Sequence, residues 1–173
     1  SAPPSNAYLT RVTIRRPEKW FPLKVLVCDS CWLVQAEAYS RAAELFNDEY
    51  AYFSSFSDYW LKHSEHYVNT MVDRFGLTSD SLVIEVASND GYLLQYVKQR
   101  GIRCLGIEPT ASTASAARQK GIETIEEFFG ASLADSLVNQ GMQADLMVAN
   151  NVLAHVPDIN DFAKGFSLLL KPQ

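Results

Sequence analysis

The sequence predicts an α/β fold built on a parallel sheet of about four strands, preceded by a small, partly helical N-terminal segment. Three observations predict it. From residue 81 onward, short apolar runs alternate with amphipathic helical patterns, as in βαβ units with right-handed crossovers. The first run ends in a compact turn, Ser88-Asn-Asp-Gly91. The second ends in an acid, Glu108, followed at once by Pro109, which cannot donate to a ladder and stops the strand.

The strands are expected at 82–87, 103–108, 122–125 and 145–150, and the helices at 91–100, 111–120, 130–139 and 158–170. That order is Rossmann-like. Residues 1–38 read as one module, 39–78 as a helical, aromatic-rich lid or linker, and 79–173 as the sheet domain.

Residues 1–20 are rich in proline and polar groups and read as extended. Residues 21–35 alternate enough to form strands around Cys28-Asp-Ser-Cys31. Two cysteines at this spacing are half of a structural zinc site, which takes four ligands. No second pair is present, and Cys104 lies in a strand, so the residues alone disfavour an occupied metal site. A redox role is weaker still, because no helix clearly starts there. Residues 39–75 read as mostly helical. Within them Tyr50-Ala-Tyr-Phe-Ser-Ser-Phe-Ser57 is aromatic and hydroxyl-rich; most of it reads as packing, although a Tyr or Ser can cover a ligand as a lid. His63 and His66 share a helix face, and with no acid or cysteine beside them they read as polar groups rather than metal ligands.

The run Leu82-Val-Ile-Glu-Val86 suits a strand covered on both faces. Glu85 inside it needs a partner, because an unpaired buried carboxylate is costly. The partner can be a ligand ammonium or a loop N–H that the acid ties down. In the turn, Asn and Asp tolerate unusual dihedrals and Gly91 permits close backbone approach. One glycine is fewer than the pyrophosphate clamp of dinucleotide folds uses. Glu108 lies 18 residues after Asp90, where a carboxylate can accept both hydroxyls of an adenosine ribose, or else cap the next helix. Turn and acid together suit a ligand with a ribose and an amine, a common way for such a sheet to hold S-adenosylmethionine (SAM).

Ligands of open α/β sheets sit beyond the carboxyl ends of strands, at the topological switch. After the fourth strand, Asn150-Asn-Val-Leu-Ala-His-Val-Pro-Asp158 falls there. Asn150 and Asn151 can hold the amino-acid part of the cofactor. His155 can contact cofactor or substrate, or act as acid or base because a histidine titrates near neutrality; the alternative is a bond to a loop carbonyl. Asp158 is the expected cap of the last helix. After the third strand an acid can meet the adenine amino group and Phe128 or Phe129 can flank the ring, unless both are core.

The 173 residues are 47% hydrophobic and carry a net charge of −5 with no basic run, which disfavours a nucleic-acid partner. No apolar stretch approaches the roughly 20 residues of a membrane span, and no signal-peptide pattern opens the chain. Three cysteines without a disulfide framework suit a reducing cytoplasm.

With these residues in view, the chain resembles the SAM-dependent C-methyltransferases of nucleotide-deoxysugar biosynthesis, which act at C-3 of a 4-keto sugar. The resemblance is carried by Pro22-Leu23 with Cys28-Asp-Ser-Cys31 and Leu33-Val-Gln35, by the 50–57 segment, and by Glu85-Val-Ala-Ser-Asn-Asp-Gly-Tyr-Leu-Leu-Gln95. It continues through Gly106-Ile-Glu-Pro109, Glu127-Phe-Phe129 and the 150–158 segment.

The resemblance implies a class I methyltransferase core, with Glu85, Ala87, Ser88, Asn89, Asp90, Gly91, Glu108 and Pro109 lining the cofactor. Phe128, Asn150 and Asn151 complete that set, and Tyr52 with the serines after it would contact cofactor or substrate. Cys28 and Cys31 would be the second pair of a zinc module whose first pair precedes Ser1. A sugar-binding domain carrying the base would follow the chain, so the 173 residues are expected to be a piece of a longer enzyme, binding cofactor weakly or not at all and giving no turnover alone. In the whole enzyme a base would remove a proton beside the 4-keto group, and the resulting carbanion would attack the methyl group. Within this chain His155 and Tyr52 are the substrate-side candidates. Two other classes stay open: a non-catalytic binding module using the sheet edge after Asn150, and a methyltransferase for another small molecule. The oligomeric state is not legible.

Overall fold

The structure is a computed structural model that describes residues 1–3, 8–46 and 50–172. The chain forms two units, Ser1–Tyr52 and Phe53–Gln173.

In the first unit, strands β1 (Val25–Val27) and β2 (Val34–Ala36) form an antiparallel hairpin with Val25 opposite Ala36 and Val27 opposite Val34. Its valines suit a pleated surface. The Cys28–Cys31 turn closes it: the Cys28 amide donates to Leu33 O and the Trp32 amide to Cys28 O, both at 3.0 Å. Trp32 sits at φ 62°, the left-handed residue that lets the chain reverse. Helix α1 (Ala42–Leu45) is a single turn. The helical reading of 39–75 is therefore corrected over its first half. Apart from α1, the described residues between 39 and 57 form only the short 3-10 turn Ser54–Phe56, and residues 47–49 lie outside the described residues. Serines and aromatics here lack a 3.6-residue apolar stripe, and Ser57 starts the next helix instead.

The second unit opens with α2 (Asp58–Phe75). Ser57 caps it by accepting from the Trp60 amide, and Gly76 at φ 60° ends it. The sheet follows: β3 (Leu82–Val86), β4 (Arg103–Ile107), β5 (Thr124–Ile125) and β6 (Leu146–Val148), in the order β5-β4-β3-β6, all parallel. All five residues of β3 are buried, as befits a central strand. Along it, side chains alternate between two apolar layers. Val83 packs with residues of α2, α3 (Leu94–Gln99) and α4 (Ala111–Gln119). Leu82, Ile84 and Val86 pack with residues of α5 (Ala131–Asn139) and α6 (Ile159–Leu169). Asp158 caps α6, its carboxylate accepting from the Asn160 and Asp161 amides.

The expected strands and helices are all present, with trimmed ends. The third strand shrinks to Thr124–Ile125 and the fourth to Leu146–Val148, because their chains leave the ladder where neighbours stop pairing. The first sheet helix begins at Leu94 rather than 91, since Gly91 to Leu93 complete the preceding turn. From β3 the chain crosses to β4 on one side, and β6 returns to β3 on the other. The topological switch therefore lies beyond the carboxyl ends of β3 and β6.

Candidate functional site

The turn after β3 is tightly specified. Ala87 (φ 56°), Asn89 (φ 50°) and Gly91 (φ 74°) alternate in the left-handed region. Glycine is required at 91 on two counts: the backbone angle, and a Cβ there would lie 3.1 Å from Ile122 and 3.4 Å from Ala117. On the neighbouring strand a Cβ at Gly106 would come within 2.5 Å of Ser88 Oγ, so β4 carries glycine where the turn crosses it. The Ser88 amide donates to Ile107 O at 3.2 Å.

Glu108 is joined directly to this turn. Its Oε2 accepts from the Asn89 amide and its Oε1 from the Thr110 amide, each at 2.9 Å. The acid that closes β4 and the loop that closes β3 are therefore one constellation. Its other members are acceptor-rich. Glu85, Asp90 and Glu108 are 0%, 3% and 5% exposed, which brings three carboxylates into one buried neighbourhood. Both Glu85 oxygens, Ser88 Oγ, Asp90 Oδ1 and Thr110 Oγ1 are buried without a hydrogen-bond partner among the described residues. Burial pushes the Glu85 carboxyl well above the usual carboxylate range; the Tyr92 hydroxyl opposes this, and the Glu108 and Asp90 charges add to it.

Asp90 is held from behind. Lys120 Nζ lies 3.1 Å from Asp90 Oδ2 and donates at 2.7 Å to Asp90 O and to Ser55 Oγ. The Ser54 amide donates to Asn89 Oδ1 at 2.8 Å, so the Ser54–Phe56 turn rests on the loop. Across the switch, Asn150 Nδ2 donates to the Tyr92 hydroxyl at 3.1 Å, and the Tyr92 ring stacks on Trp60 of α2.

This arrangement is matched by known proteins. Residues 84–173 fit the family described as "Methyltransferase domain" and cover just over half of the chain. The chain belongs to this methyltransferase family. Residues 1–46 fit a family described as "Putative zinc binding domain". C-methyltransferase NovU of Streptomyces niveus is 35% identical over 155 residues, 90% of this chain and 37% of NovU. The chain thus spans little more than a third of that curated relative. Among solved structures, magnesium protoporphyrin IX methyltransferase (ChlM) of Synechocystis PCC 6803 with bound SAH has a TM-score of 0.51 at 16% identity, over 64% of this chain and 52% of ChlM. Plantazolicin methyltransferase BamL, solved with a triazolic desmethylPZN analog and SAH, has a TM-score of 0.51 at 17% identity, over 62% of this chain and 42% of BamL. These likenesses establish the class I methyltransferase fold.

The methyltransferase match takes in the turn, both strand-end acids and Lys120, whereas Ser54 and Ser55 precede it. The other residues singled out in the sequence fall as follows. Pro109 is half-buried beside Glu108, and Phe128 is 49% exposed. Phe129 is core, packed edge-on against Phe162 and Phe166 of α6. Asn150 reaches Tyr92, while Asn151, at φ 53°, is exposed on the loop after β6. His155 lies farther along that loop, exposed on the short 3-10 turn Leu153–His155. Tyr52 belongs to the first unit and is 49% exposed. His63 stacks on Trp60 at 5.1 Å.

Cys28 and Cys31 stand on the hairpin turn of the first unit. The amides of Cys31 and Ser30 pull the Cys28 thiol below its usual range, which favours the thiolate a metal needs. These are two ligands of the four a structural zinc takes; no larger cluster of His, Cys, Asp or Glu occurs among the described residues. Cys104 is different: burial pushes its thiol up to about 11, and its Sγ lies 3.9 Å from Leu94 O. The residues that sequence reasoning missed are Lys120 and Tyr92. Tyr92 had a signal, being the aromatic directly after the turn glycine. Lys120 had none, because its partners lie 30 and 65 residues away.

Proposed function

We propose that this chain is the SAM-binding portion of a methyltransferase that alkylates carbon, with a nucleotide-linked 4-keto deoxysugar as acceptor. The observation that carries the cofactor reading is the set of buried polar oxygens at the ends of β3 and β4 that have no hydrogen-bond partner among the described residues. A ligand supplying hydroxyl and ammonium donors and a positive charge satisfies it. A pyrophosphate would instead meet three buried acids. The reading of carbon as the methylated atom, and of a sugar as the acceptor, rests on the likeness to C-methyltransferase NovU and on the motifs of the 50–57 and 150–158 segments.

In this reading Glu108 accepts from the ribose hydroxyls, oriented by the two amides it already binds. Ala87, Ser88, Asn89 and Gly91 bring backbone close to the ligand, and Pro109 ends β4 so that Glu108 stands clear. Glu85 serves the ammonium, with Asn150 and Asn151 on the amino-acid side. Phe128 flanks the adenine. Asp90 acts through its backbone and its tie to Lys120. SAM, when bound, supplies an electrophilic methyl group on its sulfonium. The protein's contribution is to align that methyl with the acceptor carbon and exclude water. His155 is assigned to the substrate side. Cys28 and Cys31 would supply two thiolates to a zinc completed by two further ligands.

The test is an NMR titration of the 15N-labelled chain with SAM and with S-adenosylhomocysteine (SAH), with NAD as competitor class. Saturable shifts at Asn89, Gly91, Thr110 and Asn150 are expected for both adenosyl ligands and not for NAD. No response at millimolar ligand in the full-length protein, or an NAD response at the same residues, would overturn the cofactor reading. Acceptor class is tested separately, by methyl transfer from labelled SAM to a 4-keto sugar nucleotide with the full-length protein.

A further inference from the structure

We infer that Lys120 is a positioning residue for the cofactor site: its ammonium fastens the Ser54–Phe56 turn onto the β3 turn and so holds both in the binding arrangement. The inference rests on the cofactor reading above for what is bound, and on geometry for the fastening itself.

An ammonium has three donors and no acceptor. Lys120 Nζ has three acceptors in reach, Asp90 O and Ser55 Oγ at 2.7 Å and Asp90 Oδ2 at 3.1 Å. They come from two segments far apart in sequence. Asp90 is 4% exposed at its side chain, and a carboxylate so deeply buried is costly without a cation. Lys120 stands at the C-terminal end of α4, where its stem reaches both segments. A second, independent tie runs in parallel, from the Ser54 amide to Asn89 Oδ1. The two ties fix residues 89 and 90, within the stretch where left-handed angles alternate at 87, 89 and 91. Asn89 also donates its amide to Glu108, so a shift of this corner moves the acid assigned to the ribose.

Without Lys120, Asp90 loses the cation it pairs with among the described residues, and the Ser54–Phe56 turn is left with the Ser54–Asn89 bond to the loop. Ligand binding must then order the corner before it can use it, which lowers apparent affinity. For the Lys120→Met variant, the SAH Kd is expected to weaken by roughly tenfold, the usual scale for a charge-assisted hydrogen bond. In the unliganded chain the Ser54 amide should exchange faster with deuterium, while amides of the β3 centre keep their protection. The Lys120→Arg variant, which retains the charge, should recover much of both. Arg100→Met, which removes an exposed contact to Asn69 between α2 and α3, should leave SAH affinity unchanged. Wild-type Kd and wild-type Ser54 exchange in a folded Lys120→Met protein would overturn the inference. Should that variant fail to fold, Ser55→Ala removes only one arm of the tie; unaltered Ser54 exchange and SAH affinity there would equally overturn it. If Ser54 protection depends on Lys120 but the wild type ignores SAH, the fastening stands and the cofactor reading falls.

Discussion

Replacing Glu85 by glutamine should stabilise the protein at pH 8 and leave it almost unchanged near pH 4. Glu85 is fully buried in the central strand, and burial holds its carboxyl protonated well above the usual range. In the unfolded chain the same group ionises near the ordinary glutamate value of about 4.3. Below that value both states are protonated and the acid costs nothing extra. As pH rises from there towards the raised folded value, the unfolded chain releases a proton that the folded chain keeps, so stability falls across that window. Glutamine cannot ionise, so the variant should lack this fall.

The gain comes from the proton that the unfolded chain releases and the folded chain keeps, and grows by at most about 1.4 kcal/mol for each pH unit above the unfolded value. Unsatisfied polarity adds nothing to it, because a neutral glutamine wants partners as the protonated acid does. At about 3–6 °C per kcal/mol for a domain of this size, the expected rise in Tm at pH 8 is several degrees. The assay is thermal or urea unfolding of wild type and variant from pH 4 to pH 8.5, paired with the SAH titration. The variant should bind SAH more weakly while being more stable, the pattern expected of a group held unsatisfied for a ligand. Parallel stability curves, or a variant less stable than wild type at pH 8, would refute the reasoning by showing that Glu85 already has the partner it needs.

Glu108→Gln leaves one acceptor where two amides are now served, so the Asn89 or Thr110 amide loses its bond; a loss of about 1–3 kcal/mol by urea unfolding is expected, together with loss of the SAH response. Gly106→Ala places a methyl 2.5 Å from Ser88 Oγ, and overpacking of this kind costs about 1–3 kcal/mol; Tm should fall, and NMR shifts should spread through the β3 turn rather than the α5–α6 layer. Cys28 should alkylate with iodoacetamide far faster than Cys104 at pH 7.5, and the Cys104 rate should climb with pH until its thiol titrates at about 11, as peptide mass mapping can follow.

The parts of this fold legible in the sequence are those with local causes. Alternating apolar runs and helical stripes place β3 to β6 and α3 to α6, since periodicity is set by which face is buried. Glu108 is legible because Pro109 marks the strand's end beside it. The Cys28–Cys31 turn is legible from its spacing. What fails has non-local causes. A strand's end depends on how far its neighbour pairs, so β5 and β6 came out too long. Helix does not extend through the 39–57 stretch: Ala42-Ala-Glu-Leu45 favours helix intrinsically, whereas Ser57 caps α2 instead of continuing it. Asp90 looked like a ligand contact; its long-range partner Lys120 was invisible to any local rule.

Strain and unsatisfied polarity fall in the same place, and that coincidence is informative. Of the four non-glycine residues at positive φ among the described residues, Ala87, Asn89 and Asn151 stand at the carboxyl ends of β3 and β6. For alanine, which gains no local hydrogen bond there, the left-handed region costs about 1–2 kcal/mol. The buried acceptors without donors belong to β3, its turn and the end of β4. Neither feature is forced by the sheet: β4 and β5 reach their own helices without positive φ in any non-glycine residue. A fold optimised for stability alone would relieve both with a glycine at 87 and an apolar residue at 85. Retaining them together, at the topological switch and beside an acid already oriented by two amides, is what a preformed polar ligand site requires. A ligand that supplies hydroxyl and ammonium donors, as the proposed cofactor does, would satisfy this set.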